Sequence, residues 1–451
     1  MKRACGVLLP ISSLPSPFGI GAFSKEAFDF VDQLEAAGQS YWQILPLSPT
    51  GYGDSPYQSR SAFAGNLNYI DLEELIHQGL LEEKEVTEIA WGEEGQVDYG
   101  IIWEQRESVL QKAFQRFLKG ERLEHSREGA EGEGTEKEKE PGILELEDFE
   151  RERKALPEDT RNFCLYQAIK KSQKYAPWYQ WDTPLKMRET KALEEVEETC
   201  REQILFYQWT QVVFTRQWQK LKDYANGKGI QIIGDLPIYV SLDSADSWSH
   251  PELFVFDQNR APLLVAGCPP DYFSADGQLW GNPVYDWEYH KKTDYAWWME
   301  RLAHTFSLYD YVRLDHFRGF DEYYAIPAGA SNAREGEWKK GPNMEIFTRA
   351  AACFKDRFDT LPIIAEDMGI LTDSVIALVE KSGFPSMKVL EFAFDSDNKN
   401  FYLPHNYPRN CVAYTGTHDN TTLAAWIKGQ SPHVRSFMQR YMGGVYTPEE
   451  E

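Results

Sequence analysis

Four carboxylates stand at or just beyond the ends of short apolar runs. Asp235 closes IQIIGD, Asp315 closes YVRLD, Glu366 closes LPIIAE with Asp367 behind it, and Asp419 follows CVAYTGTH. One acid at such a place is ordinary, because Asp caps helices and turns. Four acids from separate segments can converge on one mouth, where burial and mutual repulsion perturb them. Chemistry that needs several carboxylates splits two ways. Clusters of Asp and Glu hold Mg²⁺ or Ca²⁺. A carboxylate paired with a carboxylic acid breaks and remakes glycosidic bonds. Arg313 lies two residues before Asp315, on the same side of an extended strand, and favours its ionised form. Glu366 stays protonated if its surroundings desolvate it or repel its charge. Asp419, next to His418, is placed to bind ring hydroxyls. His418 has no second His or Cys at ligand spacing, which argues against a metal. Asp367 is expected to cap the turn that follows it, and Asp243 and Asp246 in SLDSADSW to be structural.

These acids need a scaffold that brings strand ends together. Cys5 to Leu9, Tyr41 to Leu45, Ile230 to Asp235, Tyr311 to Asp315, Leu361 to Glu366, Met387 to Phe392 and Cys411 to Thr415 read as seven short strands. Helical patterns separate several of them. This rhythm predicts an α/β chain forming a (β/α)8 barrel whose eighth strand is not readable, with a doubly wound open sheet as the alternative. No glycine-rich phosphate loop supports that alternative. Three regions are expected: 1–71 with the first two strands and their loops, 72–226 as a mainly helical insertion, and 227–451 with strands three to seven. Within the insertion, Trp103 to Leu118 and Glu189 to Tyr224 read as helices. The charged stretch Glu121 to Gly142 has almost no apolar groups, and disorder is expected there.

Composition narrows the ligand. The formal net charge of −24 disfavours nucleic acid and anionic membrane surfaces. The content of 14 Trp and 24 Tyr is high, and sugars stack on such rings, while core filling accounts for most of them individually. Six scattered cysteines, with no zinc-type spacing, suit a reducing cytoplasm. The N-terminal apolar stretch is short and broken by Pro10, so no signal peptide is expected, and no run reaches membrane-spanning length.

The segments SSLPSPFGIG, YWQILPLSPTGYGDSPYQS, IIGDLPIYVSLDSADSW, CPPDYFSADGQLWGNPVYDW, VRLDHFRGF, IIAEDMG and YTGTHDN span almost the whole chain. Together they resemble the 4-α-glucanotransferases, also called amylomaltases or disproportionating enzymes, relatives of the α-amylases. The resemblance implies a TIM barrel and transfer of α-1,4-glucan segments to the 4-hydroxyl of glucose or another glucan, by retaining double displacement without cofactor or metal. It implies Asp315 as nucleophile, Glu366 as acid/base and Asp419 as transition-state stabiliser. Asp235, Arg313 and His418 match inner-subsite residues. Ser55, Tyr57, Phe273, Gln278 and Trp280 fall in segments lining the donor and acceptor sides, and CPPDYFSADGQLWG matches a loop that folds over bound glucan. The implied partners are maltooligosaccharides, amylose and glucose. Two other readings stay open: a hydrolytic α-glucosidase or amylase, and a glucan-binding chain without turnover. Two departures stand out. Ser386 replaces the family's usual glycine in PSMK, with an expected cost of roughly 1 kcal/mol if that residue has positive φ. The resemblance also stops after YMGG at Gly444, which leads to the expectation of an open sheet edge at Cys411 to Thr415 facing Cys5 to Leu9.

Overall fold

The computed structural model describes residues 3–51, 53–93, 95–123, 143–270, 274–369 and 371–443. Its strands are β1 (Gly6–Leu8), β2 (Tyr41–Gln43), β3 (Gln231–Leu236), β4 (Leu264–Cys268), β5 (Gln278–Pro283), β6 (Tyr311–Leu314), β7 (Glu322–Pro327), β8 (Glu337–Lys340), β9 (Ile363–Ala365), β10 (Ser386–Val389) and β11 (Cys411–Tyr414). Seven of these make one parallel sheet in the order β1-β2-β3-β6-β9-β10-β11. They are the seven apolar runs read from the sequence. Spatial order follows chain order without reversal, which excludes a doubly wound sheet with its switch point. The sheet curls on itself. Ile233, Ile364 and Met387 point inward with Tyr41, Tyr311, Val412 and Tyr414, and the Tyr414 hydroxyl donates to Gln43 Oε1 across the interior, at 2.7 Å.

Burial on both faces explains the near-continuous apolar strands. All four residues of β10 are buried. Outward-facing Val312, Leu314, Ile363 and Ala365 pack with Leu302 and Phe306 of the helix Ala296–Leu308, Phe347 of Met344–Cys353 and Leu378 of Asp373–Ser382. The two ends of the sheet are β1 and β11. No ladder joins them among the described residues, and a cavity of about 660 Å³ lies between them.

Between β2 and β3 the chain is helical, with long helices at Tyr99–Lys119, Glu158–Ser172 and Arg201–Gly227. The expected single helix from 189 to 224 is instead two, Thr190–Thr199 and Arg201–Gly227, broken at Cys200. Phe206, Trp209, Trp218 and Leu221 of the second helix share one apolar cluster with Trp42 and Ile232 of the sheet. Of the charged stretch 121–142, residues 124–142 lie outside the described residues. Its start is anchored: Leu123 N–H donates to Gly79 O at 2.9 Å, and the Arg122 guanidinium donates to Gln78 O and Leu144 O.

A second, antiparallel sheet, β5-β4-β7-β8, grows from the segments that follow β3 and β6. Its strands were not legible in the sequence. CPPDYFSADGQLWG reads as a loop, yet its two ends belong to β4 and β5, which pair with a bulge between Val265 and Gly267. Ser386 sits in β10 and is not among the residues with positive φ, so the expected backbone strain is absent. The cost is of another kind, since its hydroxyl is buried with no hydrogen-bond partner.

Candidate active site

In a barrel, the loops leaving the C-terminal strand ends build the site. Asp235 lies near the end of β3 and Arg313 near the end of β6, while Asp315 and Glu366 each follow directly on a strand, β6 and β9. His418 and Asp419 lie in the loop after β11, and Tyr57 in the loop after β2. Pairing of β3 with β6 puts Asp235 opposite Arg313. One guanidinium nitrogen of Arg313 donates to both Asp235 oxygens at 2.9 and 2.8 Å. The other is 2.8 Å from Asp315 Oδ1.

The chain of contacts continues outward. The Tyr57 hydroxyl is 2.6 Å from Asp235 Oδ2 and 2.7 Å from His418 Nε2. A phenol has one proton, and the carboxylate takes it, so the imidazole Nε2–H donates to the phenol oxygen. The two rings stack at 5.5 Å. Burial lowers the pKa of His418, which keeps the imidazole neutral, and its Nδ1 is buried without a partner. Ser55 Oγ accepts the Tyr57 N–H at 3.3 Å and fixes the turn that presents the ring. Asp419 is exposed, and its negative charge is felt at Asp315.

Glu366 is held by main chain. His316 N–H donates to Oε2 at 2.7 Å and Met368 N–H to Oε1 at 3.0 Å. His316 is aimed by a left-handed backbone, φ 51°, a strained conformation for a residue with a Cβ. Its imidazole meets the Trp280 ring edge-on at 4.9 Å, and burial pushes its pKa down to about 3. Burial, reinforced by repulsion from Asp315, pushes Glu366 up to about 8 against its two N–H donors. Burial also raises Asp315, to about 7, but there Arg313 opposes the rise. Of the pair, Asp315 gives up its proton first and Glu366 keeps its own longer.

Trp280 lies on β5, where its Nε1–H donates to Gln278 Oε1 at 3.0 Å. Gly281 next to it has φ +78°, a backbone that a side chain would resist. Phe273 lies outside the described residues. Asp367 is expected to cap the turn after it, and among the described residues its Oδ1 instead accepts Met387 N–H from β10. Asp243 ties together Tyr166, Lys170 and Trp178, and Asp246 accepts Ala62 N–H. Gln43 and Tyr414 complete the floor beneath Asp235 and Arg313. A signal for Gln43 existed, as the one amide inside the apolar run YWQIL. Among the described residues no group of His, Cys, Asp and Glu is arranged to hold a metal ion, and no helix is long and apolar enough to cross a membrane.

A family model described as 4-alpha-glucanotransferase matches residues 9–451. The 4-alpha-glucanotransferase of Streptococcus pneumoniae serotype 4 is 45% identical over 443 residues, covering 98% of this chain and 82% of the relative. The Thermus thermophilus 4-alpha-glucanotransferase is 43% identical over 455 residues, covering 100% and 85%. Among solved structures, the amylomaltase from Streptococcus agalactiae in complex with acarbose superimposes with a TM-score of 0.89 at 40% identity, covering 98% of this chain and 85% of the other.

Proposed function

The chain belongs to the 4-alpha-glucanotransferase family, and from that premise we propose how its cleft transfers a segment of α-1,4-glucan to the 4-hydroxyl of an acceptor glucose or glucan. Asp315 attacks the anomeric carbon. Glu366 gives its proton to the departing glycosidic oxygen, and a glycosyl ester forms on Asp315. The leaving chain departs and an acceptor enters. Glu366, now a base, takes the proton of the acceptor 4-hydroxyl, whose oxygen displaces Asp315 and restores the α-linkage. Two inversions give net retention, and no step calls for a cofactor.

The observation that carries this reading is the unequal pair. Arg313 contacts Asp315 directly and favours its ionised form, while burial and repulsion favour the protonated form of Glu366. A nucleophile and an acid are thus ready in one pH range. Asp419 is assigned to the charge that grows on the sugar ring in the transition state. Asp235, Arg313, Tyr57 and His418 are assigned to the sugar next to the reacting bond. The unpartnered Nδ1 of His418 is there to accept a sugar hydroxyl. Ser55, Gln278 and Trp280 are assigned to the flanking sugars, and Phe273 by its place in the sequence. Acceptor sugar must outcompete water, and an aromatic wall formed by Trp280 favours that by positioning and exclusion. The setting that suits this chemistry is cytoplasmic maltodextrin, starch or glycogen metabolism.

Maltotriose alone tests the reading. A ladder of longer oligosaccharides with released glucose, at constant reducing-end count, is expected. A steady gain of reducing ends would mean hydrolysis, and amylose binding with no product would mean a glucan-binding protein. Asp315→Asn should abolish the ladder and leave the fold unchanged by circular dichroism. Transfer retained in that variant would reject the nucleophile.

A further inference from the structure

Behind Glu366 lies a second ion pair that this mechanism does not use. Asp367 and Lys388 are 6% and 7% exposed, and their charged atoms are 3.5 Å apart. Isolated buried charges at these positions would each be costly, so the pair needs a reason. The strands β9 and β10 share a single register pair, Ala365 with Ser386. Beyond it the strands part, and the Asp367 side chain reaches across instead, accepting Met387 N–H at 2.8 Å. Parting there releases the main chain after Glu366, and Met368 N–H turns back onto the Glu366 carboxylate. Lys388 lies 5.7 Å from the Tyr402 ring centre. Tyr402 is carried by a loop that Asn400 folds, accepting Tyr402 N–H and donating to Phe392 O.

We propose, resting on the acid/base reading of Glu366, that Asp367 and Lys388 are a positioning pair. Asp367 anchors the parted strand end so that Glu366 faces the cleft, and Lys388 balances the charge that this anchor brings within reach of Glu366. The groups facing Glu366 are Asp315 and Arg313 from the end of β6 and Tyr402 from the loop after β10. Those facing Asp367 are Lys388 of β10, Tyr402, and Cys411 of β11. Among the described residues, Lys388 is the only cation facing Asp367. With both partners present, their fields at Glu366 largely cancel.

Removing either charge should therefore move the proton affinity of Glu366, in opposite directions. Asp367→Asn keeps an oxygen to accept Met387 N–H and leaves Lys388 unbalanced, which favours ionised Glu366. Lys388→Met leaves Asp367 unbalanced, which favours protonated Glu366. The measurement is the pH profile of kcat/KM for maltotriose disproportionation, whose basic limb reports the acid in the free enzyme. For Asp367→Asn the limb should move down by about half to one pH unit, and for Lys388→Met up by a similar amount. Lys388→Arg should restore it. A second donor, α-maltosyl fluoride, needs no proton on its leaving group. Fluoride release by Asp367→Asn should stay within about twofold of the wild type. Limbs that do not move, that move the same way, or fluoride release that falls with maltotriose turnover would each overturn the proposal. If Lys388→Met does not fold, Asp367→Asn and Lys388→Arg still decide it. Glu366→Gln separates the two readings. Maltotriose transfer retained in that variant would reject Glu366 as the acid. An inactive Glu366→Gln with an unmoved Asp367→Asn profile would reject the positioning pair alone.

Discussion

Glu366 receives two backbone N–H donors and still holds its proton to about pH 8, because burial and the Asp315 charge outweigh them. Its folded pKa thus lies above its unfolded one, and its contribution to stability is lost as pH rises between the two values. Glu366→Gln removes that loss. The variant should be about as stable as the wild type at pH 5 and more stable at pH 9, by on the order of 1–3 kcal/mol. Calorimetry at the two pH values checks this, and an equal difference at both would show that the glutamate is not strained. Tyr57 makes a different test. Its hydroxyl joins Asp235 to His418, whereas Asp235 keeps both bonds from Arg313 without it. Tyr57→Phe should leave stability nearly unchanged and lower kcat/KM about tenfold, the effect of roughly 1.4 kcal/mol. At this scale the sequence was most readable where chemistry and strand pattern coincide. Arg313 and Asp315 two apart on a strand predicted their ion pair. That Arg313 also clamps Asp235 depends on the register of β3 against β6, which no local pattern encodes.

The seven parallel strands were legible as elements because each is a short apolar run bounded by turn residues, as buried parallel strands are. The antiparallel sheet was not. Gln278–Pro283 contains Gly281 and Pro283, and such residues read as loop. Its strandedness comes from pairing with β4, a tertiary cause. Cys200 splits one expected helix for a similar reason: the apolar pattern runs on through it while the backbone there leaves helical geometry, at φ −106° and ψ 17°. Ser386 gives the element-scale prediction. It lies in an extended strand with an unsatisfied hydroxyl, so its problem is desolvation rather than φ. Ser386→Ala should stabilise by about 0.5–1 kcal/mol, and Ser386→Gly should destabilise by a similar amount, since glycine weakens a strand interior. Denaturant midpoints of the two variants check the order; a more stable glycine variant would restore the backbone explanation.

Over the whole molecule, the helices between β2 and β3 share their apolar cluster with the sheet itself, through Trp218, Leu221, Trp42 and Ile232. Residues 72–226 expressed alone should therefore fail to give a cooperative melt, and the full chain should unfold in one calorimetric transition. Two separated transitions would mean that the insertion is an independent domain. The cleft has a consequence of another sort. Among the described residues, Asp235 and Asp315 both pair with the cation Arg313, and Asp419 adds its negative charge at Asp315. A pocket so charged discriminates among guests by the charge they carry. A sugar mimic with a protonated ring nitrogen should inhibit far better than its neutral ring-oxygen counterpart of the same shape. Its advantage should shrink as pH falls and Asp315 takes up its proton, so the strength of such an inhibitor, followed across pH, becomes a voltmeter for the nucleophile.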